Sequence, residues 1–299
     1  MNRGHQGKSI LLAVGAAALY GLSAPLAKGL LQSLHPILLA AMLYLGAGIG
    51  MIVYKAFRRT DASAVRGWKK TDRKYIVLMI ALDVAAPILL LWGLTLTTAA
   101  NASLLNNFEI VATTLIAALF FREAIGRKTL IAIVVIALSS FLLSLEDASA
   151  FVFSAGSGLV LLAAVAWGLE NNCTRKLSFG DPAVVVLLKG IGSGTTSFLL
   201  ALVLSVADAS VWMWLGGLGL GFVAYGMSIL LYVTAQRHLG AAKTSAYYAV
   251  APFIGALLSF LIWNERLPIW YFPALALMML GTAFAVWDQL KPKTIQTNA

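Results

Sequence analysis

Charge is what this chain has least of. Only 11% of its 299 residues are Asp, Glu, Lys or Arg, and its mean hydropathy is +0.87. A globule in water carries about 25% charged residues, so a soluble fold is excluded and the surrounding solvent is lipid. The single cysteine, Cys173, rules out an internal disulfide and reads as a small packing residue in an apolar segment. The three histidines, His5, His35 and His238, fall near the ends of apolar runs, and the sequence has no His-Glu-x-x-His, no Gly-x-Ser-x-Gly and no pair of cysteines. Metal and triad chemistry therefore lack their parts. Gly4-His-Gln-Gly7-Lys8-Ser9 approaches a phosphate loop, but it has two residues between its glycines where such a loop has four, and an apolar run follows it. No metal and no cofactor are expected.

In place of charge the chain has long apolar stretches. A helix needs about 20 residues to cross about 30 Å of hydrocarbon, and runs of that length recur at roughly 9–31, 35–57, 74–96, 99–121, 127–145, 155–174, 182–206, 212–235, 240–262 and 268–288. A membrane barrel would show short alternating strands, not runs such as Leu130 to Leu143. The first run has no small-residue cleavage site after it and is read as a retained span. The expected fold is all-α and integral to the membrane, with ten transmembrane helices and no room for a soluble domain.

Basic residues give the orientation. Of the 22 Lys and Arg, only Lys28 and Arg266 fall on one side, Lys189 lies within the seventh run, and the others gather on the opposite side, most densely from Lys55 to Lys74. The positive-inside rule places that side, with both termini, in the cytoplasm. The net charge of +10 is thereby a topology signal. It is spread over every loop without an aromatic-interleaved platform, and a nucleic-acid partner is not expected.

The sequence also says the same thing twice. An offset of 142 lays Ala100, Ser103 and Glu123 over Ala242, Ser245 and Glu265; an offset of 147 lays Tyr20-Gly21-Leu22 on Trp167-Gly168-Leu169 and Lys28 on Arg175; and Pro36 matches Pro182 at 146. The chain divides into a five-helix unit over 1–145 and a second over 146–299. With an odd number of spans each, the two units face opposite ways, which is the inverted repeat of secondary transporters around a central cavity.

The stretch from Leu231 through Trp287, with Ala235, Ala242, Ala246, Pro252-Phe253, Asn264-Glu265 and Gly281, resembles the repeat of the drug/metabolite transporter superfamily, in its EamA-type ten-helix exporters. The first half carries the same outline from Trp92 through Leu143, so the resemblance covers essentially the whole chain. It departs in one place: Ile110, beside Glu109, stands where the second half has Pro252. The resemblance is closest to bacterial inner-membrane exporters of aromatic amino acids. It implies helices one to four and six to nine around a cavity with five and ten outside, and export of small neutral metabolites, amino acids among them, from cytoplasm to periplasm by alternating access. A drug or other metabolite exporter of the same fold is the alternative, and a membrane-embedded enzyme is the rival from another class. The expected partners are a small-molecule substrate, an amino acid first, and the lipid bilayer; a monomer suffices.

Charged groups inside a bilayer cost about 2.5–3.5 kcal/mol each even on lenient scales, which singles out Asp83, Glu109, Glu170 and Lys189. Asp83 and Glu109, near mid-depth, are candidates for proton coupling or, alternatively, for hydrogen-bonded helix ties. Glu170 and Lys189 read as a structural ion pair. Helical spacing puts Asn101, Leu105 and Glu109 on one stripe of the fourth span, with Lys243, Tyr247 and Ala251 as its repeat counterpart. The expected cavity lining is Tyr20, Asp83, Trp92, Asn101, Glu109, Trp167, Asn171, Tyr225, Tyr232, Tyr247 and Tyr248, an aromatic and mildly polar set suited to an amino acid with a large side chain or a flat hydrophobic amine. Lys189 and Lys243 are too few cations for a phosphorylated substrate. Trp68, Trp212, Trp214, Trp263 and Trp270, near span ends, read as interfacial anchors. Gly46-xxx-Gly50, Gly190-xxx-Gly194 and Gly217-xxx-Gly221 predict close helix contacts. Pro25, Pro87 and Pro252 predict kinks, and Glu123 and Glu265 read as polar stops that help start the next helix.

Overall fold

Apolar runs of this length close their own backbone hydrogen bonds, and the computed structural model, which describes residues 3–57, 72–121, 126–147, 152–177, 182–239, 244 and 247–290, is helical almost throughout. The first half holds α1 (Arg3–Gly21), α2 (Ser23–Leu30), α3 (Pro36–Phe57), α4 (Arg73–Leu96), α5 (Ala99–Leu105), α6 (Phe108–Phe121) and α7 (Arg127–Leu143). The second holds α8 (Ala155–Leu177), α9 (Pro182–Leu188), α10 (Gly194–Val203), α11 (Val211–Leu220), α12 (Ser228–Leu239), α13 (Ala251–Trp263) and α14 (Tyr271–Leu290). The fold is all-α as expected, with a short antiparallel ribbon, β1 (Leu145–Asp147) with β2 (Val152–Phe153), joining the halves. Among the described residues six segments are long and apolar enough to cross a membrane: Gly7–Leu30, Pro36–Phe57, Arg73–Leu96, Ala99–Phe120, Ala183–Val203 and Val211–Tyr232; Ala251–Trp263 and Tyr271–Trp287 are shorter apolar helices. The outward surface is correspondingly oily, with Leu11, Val77, Leu119, Val203 and Leu261 all exposed.

Breaks in the helices fall where local chemistry puts them. The first span bends at Leu22, ahead of Pro25, because proline is tolerated in the first turn of the helix that follows. Pro252 likewise opens α13 and does not kink its interior, whereas Pro87 lies inside an α4 that runs on past it. The fourth span breaks at Asn106 and Asn107, where Glu109 N–H donates to Asn106 O and Ile110 N–H to Asn107 O. The expected continuous stripe Asn101–Leu105–Glu109 is therefore bent, and its two ends serve different neighbours.

At the centre runs α3, whose Leu38, Leu39, Met42, Leu43 and Met51 are fully buried. Two π-helical turns, Lys189–Ser193 and Gly221–Met227, lie against it. The three expected glycine pairs make these contacts. A Cβ on Gly190 would stand 2.4 Å from the Gly48 nitrogen, and one on Gly46 would stand 2.1 Å from the Leu218 carbonyl oxygen, so backbone meets backbone where no side chain fits. Gly190→Ala is expected to lower stability by about 1–3 kcal/mol through overpacking. Thermal unfolding in detergent reads this, and an unchanged midpoint would contradict the contact.

Elsewhere α7 and α14 pair, with Ser139 Oγ donating to the Ala274 carbonyl at 2.6 Å. Cys173 is buried beside Met79, Leu177 and Val185, a packing residue as expected.

Candidate functional site

Helix interiors have no spare N–H groups, so a carboxylate buried in this bundle must find its donors on side chains. Asp83, on α4, is wholly buried; its Oδ1 accepts from the Tyr44 hydroxyl of α3 at 2.8 Å, and its Oδ2 lies 3.4 Å from Lys189 Nζ. Glu170, on α8, holds the same ammonium at 2.9 Å and also accepts from Thr174. The expected pair Glu170–Lys189 is thus one side of a triad, in which a single lysine serves two carboxylates and Asp83 Oδ2 is left without a hydrogen bond. Lys189 opens a π-helical turn, a local widening that recurs at functional sites and here turns its side chain toward α4 and α8.

Next to Glu170 on the same helix, Asn171 faces the other way. Its Nδ2 donates to Glu109 Oε1 at 2.5 Å and lies 3.4 Å from Thr113 Oγ1. Glu109 is half-buried, and among the described residues every interior ion pair belongs to Lys189, so Glu109 has no cation of its own. Tyr20, Tyr248, Glu170 and Lys189 lie within electrostatic range of it.

Tyrosines connect these groups. Ring centroids run from Tyr44 to Tyr225 at 5.5 Å, from Tyr225 to Tyr20 at 5.9 Å, from Tyr20 to Tyr248 at 5.9 Å and from Tyr248 to Tyr232 at 5.0 Å. The contacts are edge-on or tilted, as ring quadrupoles favour. Tyr225 rides on the second π-helical turn. The Tyr20 hydroxyl accepts from Asn106 Nδ2 at 3.0 Å, which leaves the buried Asn106 Oδ1 and, beside it, Asn107 Nδ2 without partners. Ser228 fixes the far end, donating to the Ala16 carbonyl at 2.8 Å and meeting the Tyr248 hydroxyl at 3.3 Å.

Of the residues expected to line one cavity, Tyr20, Asp83, Glu109, Asn171, Tyr225, Tyr232 and Tyr248 belong to this connected cluster, and Trp167 is buried in the core around it. Three stand apart. Trp92 is exposed, edge-on to His35 at 5.7 Å. Asn101 ties helices together, its Nδ2 within 3.1 Å of Thr97 Oγ1, the Leu143 carbonyl and Ser157 Oγ. Tyr247 makes none of the ring contacts of its neighbour Tyr248. Lys243, Glu123 and Trp68 lie outside the described residues. Sequence reasoning passed over Tyr44 and Asn106; a tyrosine inside an apolar run and an Asn-Asn pair inside a span were the available signals.

A second set of polar contacts clasps helix ends. Lys28 Nζ donates to the carbonyls of Leu94 and Thr97, at 2.5 and 2.6 Å, where α4 runs out of internal donors. Glu265 accepts from the N–H groups of Ala99 and Ala100 at 2.7 and 2.9 Å, and Thr98 accepts from Asn101 N–H at 3.1 Å, so the start of α5 is capped from two directions. Asn264, in the left-handed conformation at φ 46°, ends α13 and swings Glu265 into that position. Glu265 is therefore a cap for a helix 166 residues away, not a polar stop that starts its own neighbour. Trp263 and Trp270, expected as interfacial anchors, donate to the carbonyls of Pro25 and Leu145.

An oily exterior around carboxylates, a lysine and tyrosines drawn from helices of both halves defines a multi-pass membrane protein with an ionisable interior. The model of the EamA-like transporter family matches this sequence twice, over residues 7–145 and 154–287. The chain belongs to that family, and it is a transporter. An uncharacterized transporter of Methanothermobacter thermautotrophicus is 30% identical over 294 residues, spanning 92% of this chain and 85% of the relative. A crystal structure at 20% identity superposes with a TM-score of 0.67, covering 96% of this chain and all of the other, and speaks to the fold alone.

Proposed function

We propose that this transporter exports small metabolites, amino acids including aromatic ones among them, from the cytoplasm by alternating access. In this reading ten helices form two inverted five-helix units, 1–145 and 146–299, in a bacterial inner membrane with both termini cytoplasmic. One observation carries it: Tyr20, Tyr44, Asp83 and Glu109 of the first unit converge with Glu170, Asn171, Lys189, Tyr225 and Tyr248 of the second. A site shared by two units that move against each other is what inverted repeats use to expose a substrate to either side.

Glu109 is the coupling residue in this scheme. Its carboxyl takes a proton from outside and yields it inside, while Asp83 stays bound to Lys189 and Tyr44. The test is uptake of phenylalanine, tryptophan or tyrosine into acidified inside-out vesicles. Glu109→Gln is expected to abolish the pH-driven component and leave phenylalanine exchange intact. Identical pH dependence in the variant would remove the proton role, and absence of saturable flux for every neutral amino acid would remove the substrate class.

A further inference from the structure

The groups gathered around Tyr20 are nearly all electron-rich. Glu109 offers a carboxylate with one oxygen taken by Asn171, Asn106 offers a buried amide oxygen with no partner, and Tyr20, Tyr225 and Tyr248 offer ring faces. Lys189, the one interior cation among the described residues, is already committed to Asp83 and Glu170. Three carboxylates thus face one ammonium in a low-dielectric interior, a field that draws cations in and keeps anions out. The leftover donors, Asn107 Nδ2 and the hydroxyl of Tyr20, which only accepts from Asn106, are uncharged and would give a ligand carboxylate neutral hydrogen bonds alone against that repulsion.

We propose that Tyr20, Tyr225 and Tyr248, with Glu109 and the Asn106 oxygen, recognise the ammonium group of a hydrophobic amine, so that cationic amines are bound in preference to zwitterionic amino acids. The proposal rests on the exporter reading above and sharpens its substrate class: the amine is the recognised end and the substrate carboxylate is dispensable. An ammonium supplies charged N–H donors to the Glu109 carboxylate and the Asn106 oxygen, and it is attracted to tyrosine faces most strongly when desolvated. The rings pack directly on one another in this structure, so the ligand enters by replacing a ring-to-ring contact as the helices part.

Three probes with the same ring isolate charge: 2-phenylethylamine, phenylalanine and 3-phenylpropionate, titrated against the full-length protein in nanodiscs by calorimetry. The amine is expected to bind at least tenfold tighter than phenylalanine, and 3-phenylpropionate not at all. Glu109→Gln should cut amine affinity at least tenfold with little change for phenylalanine, and Glu109→Asp should restore most of it. Tyr248→Phe should keep the affinity, which Tyr248→Leu should lower about fivefold, because phenylalanine retains the ring face and leucine does not. Phenylalanine binding as tightly as the amine, or an amine preference untouched in a folded Glu109→Gln protein, would overturn the proposal; if that variant fails to fold, the wild-type ranking decides alone. Flux of the same probes in liposomes separates the two readings. Saturable phenylalanine flux without an amine preference leaves the exporter standing and sinks the ammonium site, whereas tight amine binding with no flux of any probe does the reverse.

Discussion

Lys189→Met is expected to destabilise this protein by about 3–5 kcal/mol, the cost of breaking a buried ion pair by removing one partner. The lysine stands 2.9 Å from Glu170 and 3.4 Å from Asp83, and Asp83 has no exposure through which water could replace it. Methionine fills the space of the lysine stem and leaves two carboxylates facing each other across α4 and α8. Native domains hold about 5–15 kcal/mol in all, so the variant should melt far below the parent in detergent or fail to accumulate. The control is what gives the result meaning. Adding Asp83→Asn and Glu170→Gln to Lys189→Met removes the charges together and should recover most of the loss, since neutral replacements of a whole buried cluster are often close to neutral in stability. A single variant that melts with the parent would mean the triad contributes no net charge compensation. A rescued triple variant that still moves substrate with the parent's pH dependence would confine the triad to a structural role, leaving Glu109 as the coupling group.

How much of this was readable beforehand divides along physical lines. The membrane class follows from apolar runs, and a period-spanning property such as hydropathy survives any local detail. Glycine contacts were legible too: Gly46, Gly190 and Gly217 occur at spacings that mean close approach, and each has backbone or side-chain atoms where its Cβ would be. The ion pair was half legible. Glu170 and Lys189 could be matched as neighbours in sequence-adjacent spans, but the share held by Asp83 depends on a π-helical turn at Lys189, and no residue pattern announces one. Asn101 and Glu109 were placed together by the 3.6-residue period, which assumes an unbroken helix; the Asn106-Asn107 turn invalidates that assumption within the span. Glu265 shows the remaining limit. Its position at a span end was plain, but its partners lie in α5, and only tertiary structure can bring a carboxylate to amides so distant in sequence.

Those partners lead to the second large effect. Glu265→Lys is expected to cost about 3–6 kcal/mol, because it deletes two hydrogen bonds to a charged acceptor, worth about 1.5–3 kcal/mol each, and sets a positive charge against the positive end of α5. The loss falls on the arrangement in which α13 is clasped to α5, where Gly255 meets Ser103 and Gly21. If the helices exchange between clasped and open forms, even 1.4 kcal/mol changes their ratio tenfold. Ser103, buried beneath the clasp, reports this: in a Cys173→Ser background, Ser103→Cys should react with an impermeant maleimide at least tenfold faster once Glu265→Lys is added. Lys28→Met should act in the same direction by freeing the Leu94 and Thr97 carbonyls. The exchange of charges, Lys28→Glu with Glu265→Lys, separates a pair from two caps. A mutual ion pair would be restored by it. Here each group answers a helix end of fixed polarity, the amino end of α5 for Glu265 and the carboxyl end of α4 for Lys28, so the exchange should label faster than either single variant. Slow labelling in the exchanged protein would show that the two side chains hold each other and not the helices.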